Sequence, residues 1–243
     1  MMRLVYFFIS FAFLFNFCAN SKSNNLFSDG NWFKICVENN GVYKLNKDYF
    51  NTMGINNPIY CDKISIFGNS LGMLPNKNSE YRPDSLLEIR TKLYDSNQNN
   101  ILDNEDFILF YGTSPNKWNF NLSSKNFEFD QHLYDNKNCY FVNVEGIGQS
   151  KRIIVDNYTI SSPVIISTFN DMKVIESELE NIIESGSEWF GQRFDNQSKE
   201  SYNFSFPNIS SDSIYLKISA VSRSTSTSKF DIEVEGNLIG SLN

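Results

Sequence analysis

Asp95, Asn97, Asn99, Asp103 and Asp106, with the backbone carbonyl of Ile101 between them, recur at the spacing a hard cation needs. Calcium takes about six to eight oxygens, and a loop of about twelve residues delivers them from side chains at positions 1, 3, 5, 9 and 12 and from the main chain at position 7. Position 6 is normally glycine because the chain turns sharply there, and here it is Asn100, a residue type that tolerates left-handed backbone. Asp106 stands where a longer Glu would chelate with both oxygens, and two of the ligands are neutral amides, so the expected calcium affinity is modest, as in extracellular modules. The competing reading of the same residues is a polar turn in an Asn-rich chain.

Other chemistry is harder to assemble. A cysteine or serine nucleophile needs a base, most often histidine, and the chain has one, His132, in a polar connection between Asp130 and Tyr134. It reads as a structural hydrogen-bonding residue. No glycine-rich phosphate loop, nucleophile elbow or zinc-spaced His/Cys cluster occurs. Glu178 and Glu180 fall on a predicted solvated helix face, which gives no support for a glycosidase pair. No catalytic residue and no organic cofactor site is therefore assigned, and the segment by itself is not expected to be an active enzyme.

The elements that hold these residues follow from the ends and the composition. Met1, Met2 and Arg3 precede an apolar run over residues 4–17, then Cys18, Ala19, Asn20 and Ser21, the layout of a signal peptide over residues 1–21. The run is shorter than the roughly 20 residues that span a bilayer, and no other long apolar run follows, so the mature chain is expected to lack a transmembrane segment. Asn16 and Phe17 disfavour lipidation of Cys18. A net charge of -7 over 243 residues argues against nucleic acid and against anionic lipid. Phenylalanine occurs 22 times, which suits strand-rich packing. Cys36, Cys61 and Cys139 remain after export, an odd number that permits one internal bridge at most. Cys36 lies in an alternating run where a small buried hydrophobe is the default, and no disulfide is expected.

Residues 32–37 and 42–45 read as a β-hairpin around Asn39, Asn40 and Gly41. Asn46 caps a short helix over residues 47–53, closed by Gly54. Strands are expected at residues 64–67, 107–111 and 140–144, while residues 86–93 fit strand and helix equally. Ile175, Leu179, Ile182 and Ile183 are spaced for a short acidic helix. Residues 202–206, 214–222, 230–234 and 238–242 alternate like strands of a sandwich, fewer than the about seven such a fold has. The fold class expected is mainly β. An N-terminal β-rich domain with short helices spans residues 22–160, a connector with a helix spans 161–195, and an incomplete β-sandwich over 196–243 marks the chain as the first part of a longer protein.

Six motifs occur in one order: Gly30-Asn-Trp-Phe-Lys-Ile35, Gly41-Val-Tyr-Lys-Leu45, Ile66-Phe-Gly-Asn69, Gly72-Met-Leu-Pro75, Asp106-Phe-Ile-Leu-Phe-Tyr-Gly112 and Ser185-Gly-Ser-Glu-Trp-Phe-Gly191. Together they resemble the amino-terminal region of the type IX secretion sortases, a gingipain-like family of cysteine peptidases. The resemblance implies a surface-exposed outer-membrane enzyme that removes the carboxy-terminal sorting domain of secreted cargo and attaches the cargo to lipopolysaccharide. The partners it implies are other outer-membrane proteins of that secretion system and the cargo itself. The family's catalytic Cys and His belong to a domain after this region, and Cys36, Cys61, Cys139 and His132 do not match their motif. The Asp-rich turn is carried over, with Asn100 in place of the usual glycine. Gly68, Gly72 and Gly112 are read as turn residues, and Trp189 and Phe190 as packing between domains. Two other readings stay open: a propeptide-like domain that inhibits or chaperones a gingipain-type protease, and a secreted calcium-stabilised module that binds glycan or cell-surface material.

Overall fold

The computed structural model describes residues 26–69, 72–146, 148–155, 164–184, 186, 188–194, 198–210 and 213–243, so the signal-peptide reading lies outside the described residues. The chain divides into two compact units, Met1–Ile160 and Ser161–Asn243. Its elements are predominantly antiparallel strands, as the composition predicts.

In the first unit, strands β1 (Asn31–Val37), β3 (Ile64–Gly68), β4 (Leu87–Ile89) and β9 (Asn138–Val144) form a sheet in the order β1-β9-β3-β4. Strands β2 (Gly41–Asn46), β5 (Lys92–Tyr94) and β6 (Phe107–Gly112) form a second sheet in the order β2-β6-β5. Alternation along each strand sends Ile35, Val37, Ile66, Tyr140 and Val142 from the first sheet and Leu45, Ile108 and Phe110 from the second into one buried cluster. Phe110 meets Tyr140 edge to face across the sheets, with ring centroids 5.3 Å apart. All five residues of β3 are buried, because the segment around Ser150 lies over its outer side and donates from the Ser150 amide to Ser65 Oγ at 3.0 Å.

The expected hairpin between β1 and β2 does not form: β1 pairs with β9, and β2 pairs with β6. A two-residue hairpin turn needs positive φ, and none of Asn39, Asn40 and Gly41 has it. The linker instead carries the chain from one sheet to the other, held where Asn40 Oδ1 accepts the Ser114 amide at 2.8 Å.

Helix α1 (Lys47–Thr52) follows its sequence signals, with Asn46 Oδ1 accepting the Tyr49 amide at 3.1 Å and Phe50 fully buried. Residues 86–93 resolve into β4 and β5, short strands in different sheets. Strands β7 (Lys117–Asn121) and β8 (Asn126–Asp130) make a separate two-stranded ribbon.

Among the described residues, the second unit holds one hairpin, β10 (Phe230–Val234) and β11 (Asn237–Leu242), turned by Glu235 and Gly236 at φ of 50° and 81°. The acidic helix expected over residues 175–183 is absent. That backbone is irregular and bridges at Glu180 to Phe190, whose amide donates to the Glu180 carbonyl at 2.8 Å. A short amphipathic helix needs a surface for its apolar face, and Ile175, Leu179 and Ile183 have none, standing about half exposed. Residues 202–206 and 214–222 likewise form no strand, because alternation becomes a strand only beside a hydrogen-bonding neighbour. Among the described residues, every buried hydrophobic side chain belongs to the first unit.

Candidate functional site

The loop over residues 95–106 joins β5 to β6. Tyr94 and Phe107, paired in register at its base, stack with centroids 4.9 Å apart. Inside the loop the short polar side chains fold onto the backbone. Asp95 Oδ2 accepts the Asn100 amide at 2.9 Å, Asn97 Oδ1 accepts the Asn99 amide at 3.1 Å, and Asn99 Oδ1 accepts the Ile101 amide at 2.7 Å. Asn100 adopts φ of +61°, the left-handed conformation expected at the sixth position. Its side chain also reaches outside the loop, where Nδ2 donates to Asp62 Oδ1 at 2.9 Å and Oδ1 accepts the Asp62 amide at 3.0 Å. Backbone bonds from Cys61 to the Asn100 carbonyl and from Leu102 to the Ile59 carbonyl complete the docking.

Asp106 is fully buried, and its carboxylate caps the loop from within. Oδ1 accepts the Ser96 amide at 2.8 Å and the Ser96 hydroxyl at 2.9 Å, while Oδ2 accepts the Asp103 amide at 3.1 Å. Burial pushes this carboxyl up, but the hydrogen bonds from Ser96 and Asp103 outweigh it and hold the group below the ordinary carboxylate range. Asp103 Oδ2 accepts the side-chain amides of Asn97 at 2.9 Å and Asn99 at 3.5 Å. One oxygen stands apart: Asp95 Oδ1 is buried and has no hydrogen-bond partner. Among the candidate ligand side chains, Asn97 and Asn99 thus bond to Asp103, while Asp95 accepts the Asn100 amide and Asp106 accepts from Ser96 and the Asp103 amide. Among the described residues, however, no group of three or more His, Cys, Asp or Glu side chains converges as a metal cluster.

Two features were missed by reading the sequence. Cys36 and Cys139 are bonded to each other, directly opposite in the β1–β9 register, which corrects the expectation of free thiols. Cys36 faces outward from the sheet while its neighbours Ile35 and Val37 face the core, so the alternation in the sequence left its face undecided. Among the described residues Cys61 is the free cysteine, and its burial, with Asp95 and Asp106 beside it, pushes the thiol up to about 11.

The second feature is Arg152. Its guanidinium donates to the carbonyls of Cys61 at 2.6 Å and Ile64 at 3.2 Å and to Thr91 Oγ1 at 2.8 Å. The backbone around it pairs with Thr91, whose amide donates to the Lys151 carbonyl at 3.0 Å and whose carbonyl accepts the Ile153 amide at 2.8 Å. Nothing in the sequence near residue 152 marks it as a latch, because its partners lie about 60 to 90 positions away.

His132 has the structural role its setting suggested. Nδ1 accepts the amides of Tyr134 and Asp135, and its own amide donates to Asn116 Oδ1 at 2.8 Å. Gly72 has φ of +71°, a turn conformation. Gly68 and Gly112 do not serve turns. They end strands where a Cβ would lie 2.4 Å from the Tyr140 ring and 2.8 Å from the Tyr43 ring, respectively. Trp189 is 44% exposed, and Phe190 forms the bridge to Glu180.

No protein-family model matches the chain, and no curated protein matches it either. Among solved structures, the crystal structure of dimeric latent PorU from Porphyromonas gingivalis is similar at 24% identity with a TM-score of 0.37. The match covers 54% of this chain and 10% of that one.

Proposed function

We propose that this chain is a non-catalytic amino-terminal region of a type IX secretion sortase, scaffolding a gingipain-like cysteine peptidase at the outer membrane or cell surface and contacting partners of the secretion machine. The observation that carries the reading is the ordered set of motifs, together with the places those residues take. Gly41 and Gly112 face each other across β2 and β6, Gly68 lies under the Tyr140 ring, and Asp106 caps the loop that leads into β6. Of the motif residues, Ile35, Leu45, Ile66, Ile108 and Phe110 are buried in the core of the two sheets, as a scaffold requires, and His132 Nδ1 accepts backbone amides.

The test is to produce the peptidase domain with and without this chain and to measure removal of a carboxy-terminal sorting domain from a cargo protein. The chain alone should cleave nothing, and its presence should raise the yield of folded, active peptidase. Activity in the isolated chain would overturn the assignment, and inhibition of a peptidase already folded would move it to a propeptide-like domain.

A calcium-stabilised loop is a second reading, favoured by Asp95 Oδ1, a buried acceptor without a donor. Asp95, Asn97, Asn99, Asp103 and the Ile101 carbonyl would hold the ion, with Asp106 supporting them through Ser96 and Asp103. Bound calcium would neutralise the Asp95 and Asp103 carboxylates and lock the loop. A ligand that binds only the folded state adds about 2.7 kcal/mol at a hundredfold excess over Kd. Calcium should therefore raise the melting temperature, chelator should reverse the rise, and Asp95→Ala should abolish it. No shift in the unaltered chain would leave a polar turn.

A further inference from the structure

We propose that the Cys36–Cys139 bridge is a redox clip that a dithiol reductant opens in the folded protein, releasing the crossover from β1 to β2 while the core stays closed. Four observations place the clip where this can happen. The bridge joins the outer face of the sheet: Cys36 is exposed and Cys139 half-buried, whereas Ile35, Val37 and Tyr140 beside them are buried on the other side. It sits one residue pair from the end of the β1–β9 ladder, which closes at Val37 opposite Asn138. β1 is an edge strand, so β9 is its one partner in the sheet. Beyond the bridge, the crossover is held by an exposed Lys137–Glu38 ion pair at 3.4 Å and two hydrogen bonds, from the Ser114 amide to Asn40 Oδ1 at 2.8 Å and from the Tyr43 hydroxyl to the Asn39 carbonyl at 2.7 Å.

Accessible disulfides exchange readily with external thiols, whereas buried thiols do not compete. A thiolate of the dithiol attacks Cys36 Sγ, the sulfur of the more exposed residue. The Cys36–Cys139 bond breaks, and its electron pair leaves on Cys139 Sγ, which takes a proton from water. The second thiol of the reductant then attacks its own sulfur in the mixed disulfide and releases Cys36 as a thiol. Two electrons have passed from the reductant, now a cyclic disulfide, to the protein. Cys61 takes no part, being buried and protonated up to high pH.

The experiment treats the full chain with dithiothreitol in native buffer, traps thiols with iodoacetamide, and maps the labelled peptides. Cys36 and Cys139 should both be labelled, Cys61 should remain unlabelled, and the circular dichroism should not change. Amide exchange in residues 36–41 and 137–139 should accelerate at least about tenfold on reduction, while residues 64–67 keep their rates. The Cys36→Ala/Cys139→Ala variant should show the same fast exchange with no reductant. A bridge that opens only in denaturant, labelling of Cys61 alongside the others, unchanged exchange at the crossover, or loss of the fold on opening would each overturn the proposal.

Discussion

Asn100 stands where a sharp turn favours glycine, and the structure supplies the reason for the exception. The residue takes a left-handed φ of +61° and also makes two hydrogen bonds to Asp62, which a glycine would forfeit. Asn100→Gly should therefore destabilise by about 1 kcal/mol in spite of its freer backbone, and Asn100→Ala by about 2–3 kcal/mol, measured by urea unfolding. Asp106 predicts a pH dependence. An unfolded Asp carboxyl titrates near 3.8 and the folded one lower, so its contribution is complete above 3.8 and is lost as pH falls through the folded value. Unfolding series between about pH 5 and pH 2 should show a shallower acid decline for Asp106→Asn than for the unaltered chain.

The latch of residues 149–153 over β3 and β4 is tied by the Gln149 and Lys151 amides to Glu88, by Ser150 to Ser65, and by the Arg152 guanidinium. Arg152 organises the Cys61 and Ile64 carbonyls and Thr91 Oγ1, buried acceptors that water does not replace easily. Arg152→Ala should cost about 3 kcal/mol, and Arg152→Lys should recover only part of it, because an ammonium lacks the planar fork. Local rules were reliable where the cause is local: the Asn46 cap, the runs that became β3, β6 and β9, and the turn at Asn100 were all legible. Pairing was not, because residues 32–45 look like a hairpin until the absent positive φ and the distant partners β9 and β6 are known. The Cys36–Cys139 bond and the role of Arg152 were hidden for the same reason, since each depends on register between remote segments. The helix expected at 175–183 failed because periodicity states which face must be covered and not whether anything covers it.

At the scale of the molecule, the two units differ in what holds them. The buried hydrophobic side chains of the described residues lie between Ile35 and Val144, whereas Val164, Ile165, Ile166 and Phe169 in the second unit are each at least 79% exposed. A fragment of residues 26–160 should melt in one cooperative transition close to that of the full chain, and residues 161–243 alone should show none, as read by calorimetry. The sheet order carries one more consequence, for the time course of folding. β1 is the first and β9 the last of the described strands of the first unit, yet they lie side by side, with a sequence separation of 103 between their bridged cysteines. Closing so long a loop comes late, after shorter closures such as β5 onto β6 have shrunk it. During synthesis β1 therefore waits, unpaired, until β9 has emerged.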